Sequence, residues 1–92
     1  MTRDEILDTA KQLINGERQQ HYGSPKDSFA RIGDLWTAYL GDAIAVRISA
    51  VDAANMLALL KIARLANGPH QDSFIDACGY MALAGEMGSK SA

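Results

Sequence analysis

The most constraining feature of this chain is the run from Ala50 to Ala66, in which Asp52, Asn55, Lys61 and Arg64 are the sole polar residues. Ser49 before it is a helix N-cap type, Asp52 would sit in the first turn, and Asn67-Gly68-Pro69 is a stop signal, so the spacing predicts a helix over 49–67. At 100° per residue, apolar groups then lie on nearly every side of that helix, which places it at the centre of the fold. Its four charges or amides argue against a membrane span. Three neighbouring helices in so small a bundle cannot cover every face of it, so the core is expected to be completed by homo-oligomerisation. Ala53, Ala54, Ala58, Gly79, Ala82, Ala84 and Gly85 are small enough for close helix approach, within the chain or across a symmetric interface.

Three further start and stop pairs surround this run. Thr2 and Glu5 have the form of a capping box, and Ile6, Leu7, Ala10, Leu13 and Ile14 repeat along one face before Asn15-Gly16, predicting a helix near 3–15. Ser24-Pro25 starts a helix near 24–40, with Asp27 in its first turn and Gly41 at its end. Phe29, Ile32, Gly33, Trp36, Tyr39 and Leu40 form its apolar side. Asp27, Arg31 and Asp34 are spaced for a surface ion-pair ladder on the other. A fourth helix is expected near 72–87, started by Asp72, with Phe74, Cys78 and Met81 on one side and a frayed tail over 88–92. No strand alternation of useful length is present. The expectation is an all-α, four-helix, bundle-like single domain over 1–92.

Composition removes several classes of function. One cysteine excludes a disulfide framework and a Cys-based zinc site, and suits a reducing host-cell cytoplasm. A net charge of −2 gives no footprint for a long nucleic acid. The N-terminus lacks the pattern of a secretory signal, and there is no membrane-spanning run. Neither a catalytic Ser-His-Asp order, a phosphate-binding Gly-rich loop nor a HExxH zinc motif is present.

Three groups of residues have chemical potential. Arg18, His21 and Tyr22 precede the start of the second helix and Lys26 lies just inside it, so free N–H groups, positive charge and an aromatic face could meet a phosphate-bearing ligand. Lys61 and Arg64, three apart on the apolar helix, would be costly to bury unpaired and are expected either to snorkel to solvent at the C-terminal half of the helix or to pair with Asp72, Asp76 or an external anion. Asp72 and Asp76 share a helical face and could together coordinate one Mg²⁺.

The stretches 18–29, 34–41, 52–64 and 72–80, with Tyr22-Gly23, Asp27, Trp36, Lys61, Arg64, Asp76 and Tyr80 in matching places, resemble a family of small helical proteins of tailed phages and prophages. That resemblance implies a phage origin. A second likeness, to MazG-type all-α nucleoside-triphosphate pyrophosphohydrolases, rests on the Asp72 and Asp76 pair and implies Mg²⁺ as cofactor. In place of that family's second acidic pair this chain has Asp52 and Asn55. The leading expectation is a phage-derived oligomer that binds a small anionic nucleotide-like ligand and sequesters a host immune signal. Arg18, His21, Lys26, Lys61 and Arg64 would meet phosphates, Tyr22 or Tyr80 would stack on a base, and Asp27 or Asp76 would orient a hydroxyl or a cation. One alternative is a Mg²⁺-dependent pyrophosphohydrolase using Asp52, Asp72 and Asp76. The other is an interaction module that docks on a host or phage protein.

Overall fold

The computed structural model describes residues 1–16 and 23–91. Four α-helices pack together, and no strand occurs among the described residues: α1 is Arg3–Asn15, α2 is Pro25–Leu40, α3 is Ala50–Arg64 and α4 is Gln71–Ser91. Short 3₁₀ turns at Gly41–Ala43 and Leu65–Asn67 follow α2 and α3. The all-α expectation therefore holds. Each of the first three helices starts where its side chains dictate. Thr2 and Glu5 form a reciprocal capping box on α1, Ser24 accepts from the Asp27 N–H with Pro25 in the first turn of α2, and Ser49 and Asp52 form a second capping box on α3.

The antiparallel α3/α4 pair is the spine, with α2 packed on α3 and α1 packed on α4. Its core is built largely from small residues. Ala53, Ala54, Ala58 and Ala84 are buried together with Phe29, Tyr80, Leu83 and Met87, and the Phe29 and Tyr80 rings meet edge to face with centroids 6.1 Å apart. Small side chains let the backbones approach, and two glycines mark where they do. A Cβ on Gly33 would run into the Ile48 carbonyl oxygen, and one on Gly79 would lie 3.0 Å from the Ile14 side chain. Gly33 thus lets α2 cross over the start of α3, and Thr37 locks the crossing. Its hydroxyl donates to the Gly33 carbonyl (2.7 Å) and accepts from the Ile48 N–H (2.8 Å).

The structure corrects several expectations. α4 starts at Gln71, so Asp72 lies inside the first turn and is not its cap, and the helix continues to Ser91 instead of fraying from residue 88. Tyr39, expected on the apolar side of α2, is 88% exposed. The surface ladder on α2 gives way to a longer-range pair. Asp34 is held by Arg47 of the returning linker at 2.7 Å, not by Arg31. The side of α4 carrying Phe74 and Met81 faces away from the core.

Candidate functional site

The Lys61 and Asp76 side chains meet between α3 and α4, with Nζ 3.0 Å from Oδ2 and the two side chains 15% and 27% exposed. About three turns of α3 precede Lys61, and its ammonium reaches the carboxylate of the neighbouring helix. Of the pairings open to Lys61, the one with Asp76 is realised. Asp76 also edges a small apolar cavity of about 120 Å³ between α1 and α4, lined by Ala10, Leu13, Ile14, Ile75 and Gly79. The pair bridges α3 and α4: each charge has the other as its counterion, and both side chains keep some contact with water.

Tyr80 was expected as a stacking face, but it is 7% exposed and its ring belongs to the core against Phe29. Lys26 and Asp27 lie exposed in the first turn of α2. Arg18, His21 and Tyr22, which would complete an anion site there, lie outside the described residues. Arg64 is exposed and borders an open groove of about 300 Å³ formed with Asn67, Gly68, Pro69 and His70. His70 has a role that its isolated position in the sequence did not signal. Its Nδ1 lies 2.9 Å from the Ser73 hydroxyl, and Ser73 is the most completely buried polar residue at the start of α4.

Among the described residues the acidic side chains do not gather as a Mg²⁺ triphosphate centre would require. Asp52 is committed to the Ser49 N–H at the first turn of α3 (3.1 Å). Lys61, and with it Asp76, lies nine residues further along α3, about 13 Å at 1.5 Å per residue. Asp72 is exposed one turn before Asp76. Among the described residues no three His, Cys, Asp or Glu side chains gather where a metal ion could be held.

What the fold does present is an apolar face. α1 and α2 cover one side of the α3/α4 pair, the side on which Lys61 meets Asp76. On the other side Leu59 (61% exposed), Ile62, Phe74 and Met81 stand in water, flanked by Met56 and Leu60. On α3 the positions 52, 55, 59 and 62 recur at spacings of three, four and three, which is a seam along one helix face. Asn55 lies in that seam, half-buried, and its amide has no hydrogen-bond partner among the described residues. No helix among the described residues is long and apolar enough to cross a membrane.

Residues 5–88 match the family described as domain of unknown function DUF6378. Among curated proteins, the Gene 55 protein of Mycobacterium phage L5 is 45% identical over 83 residues, which are 89% of this chain and 51% of that protein. The Gene 55 protein of Mycobacterium phage D29 is 44% identical over 78 residues, 84% of this chain and 49% of that protein. The chain thus spans about half the length of these relatives. No solved structure matches it.

Proposed function

We propose, on the premise that the chain belongs to the DUF6378 family and is similar to phage Gene 55 proteins, that it is a helical interaction domain acting through the uncovered face of α3 and α4. The observation that carries this reading is the exposed set Leu59, Ile62, Phe74 and Met81 on a spine in which Lys61 and Asp76 are paired with each other. Monomeric proteins rarely leave a contiguous apolar patch of this kind in water, and such patches mark association sites. The test is size. In extracts of phage-infected cells the tagged protein should elute well above its monomer mass, and Leu59→Glu should return it to that mass with its helix content intact. A parent that elutes as a monomer in the extract would sink the reading.

A second reading keeps the anionic nucleotide-like ligand, with sequestration of a host signal as its purpose. The observation favouring it is the Arg64 and His70 groove at the start of α4, with Lys26 and the segment carrying Arg18, His21 and Tyr22 as further candidates. Incubation with mononucleotides, cyclic oligonucleotides and ADP-ribose species would test it. Depletion of one of them from the filtrate, lost in Arg64→Ala, would support binding; affinity unchanged in that variant would remove the groove from consideration. The pyrophosphohydrolase alternative has the weakest support, because Asp52 lies far from Asp72 and Asp76 and caps its own helix.

A further inference from the structure

We infer that the occupant of the α3/α4 face is a second copy of this chain, placed about a twofold axis so that two α3/α4 pairs form a four-helix layer between their α1 and α2 helices; this rests on the interaction reading above. The first argument is area. The chain exposes 6461 Å², whereas a folded monomer of 9.9 kDa is expected to expose about 5,200 Å². Taken over the whole chain, the excess of roughly 1,200 Å² leaves room for the ~800 Å² per partner that a stable dimer buries. Shape agrees: the radius of gyration is 14.0 Å, against about 12 Å for a compact chain of this length. A molecule with this much surface for its mass resembles half of a larger core.

The second argument is chemical self-complementarity. A twofold interface sets a patch against itself, so its polar groups must be able to pair with their own kind. Like charges facing each other would oppose association, and the seam carries no charge between Asp52 at one end of α3 and the end of the helix. Its polar residue is Asn55, whose amide offers both a donor and an acceptor and is unpartnered among the described residues. Two Asn55 amides across the axis satisfy each other, and a lone amide within an apolar seam fixes register, since any slip buries it unpaired.

Sedimentation velocity on the purified full chain across the micromolar range tests this. Twice the monomer mass is expected, with at least a tenfold weakening of association in Leu59→Glu and in Ile62→Glu, each with helical circular dichroism unchanged. Tyr39→Ser, which alters an exposed apolar residue on α2 outside the face, should leave the mass unaltered. A purified monomer at all concentrations, or a dimer insensitive to both face variants, would overturn the second copy. If that monomer still migrates in a larger complex in infected-cell extract, and Leu59→Glu releases it, the wider interaction reading stands. A monomer in both settings overturns the two together.

Discussion

Lys61 shows how a single residue can read as functional in sequence and be structural in the fold. A lysine and an arginine within an apolar run invite an external anion, and the run alone cannot say that α4 returns with a carboxylate in register. Once it does, the ammonium and carboxylate are mutually satisfied in a largely dry seam. Removing one of them strands the other. Lys61→Met is expected to lower unfolding stability by about 1–3 kcal/mol, less than for a fully buried pair because both groups keep some contact with water. The double variant with Asp76→Asn should recover part of that loss, and urea denaturation of the four proteins in a double-mutant cycle measures the coupling. Tyr80 carries a related ambiguity. Its phenol can serve equally as a stacking surface or as core, and only the position of Phe29 on another helix decides.

Helix starts were legible because each depends on residues three apart in the chain. The capping boxes at Thr2 and Ser49 and the Ser24-Pro25 start all form where the residue types predicted. On α1 the Glu5 carboxylate accepts from the Thr2 N–H while the Glu5 N–H donates to the Thr2 hydroxyl, each at 3.1 Å. The hydrogen bond from the Thr2 backbone, followed by that to its side chain, holds the Glu5 carboxyl below its ordinary range. Because the folded value is the lower one, the contribution is complete above the unfolded value and is lost as pH falls through the folded one. A carbon-detected NMR titration of Glu5 should therefore find its midpoint below that of an unstructured glutamate, with the start of α1 loosening only in acid. The start of α4 was less legible: Asp72 is a better cap by type than His70, yet the helix starts at Gln71, with buried Ser73 paired to the His70 imidazole. The crossing of α2 over the linker was not legible at all, since Thr37 and Ile48 are eleven residues apart. Thr37→Val keeps the shape but deprives the Ile48 N–H of its acceptor, with an expected loss of about 1–3 kcal/mol by thermal or chemical denaturation.

For the whole molecule, the all-α class and the surplus of apolar surface on the third helix were both contained in the pattern between Ser49 and Pro69. Which side of that helix stays bare was not, because it depends on α1 and α2 settling on the same side of the α3/α4 pair. Their attachments differ in strength. α2 contributes Phe29 to the central cluster and is pinned by Thr37, whereas Ala10 is the one residue of α1 that is buried; Leu7 remains 57% exposed, and Leu13, which lines the small cavity edged by Asp76, 41%. Parts of a protein with few buried contacts open first and independently of the rest. Native-state hydrogen exchange should accordingly find the amides of α1 exchanging through a separate, lower-energy opening, while those of α3 and the middle of α4 exchange only with global unfolding. Uniform protection across all four helices would contradict this. α1 would then behave as a detachable flap, whose release uncovers Ile75 and Gly79 on the spine while the rest of the fold stays closed.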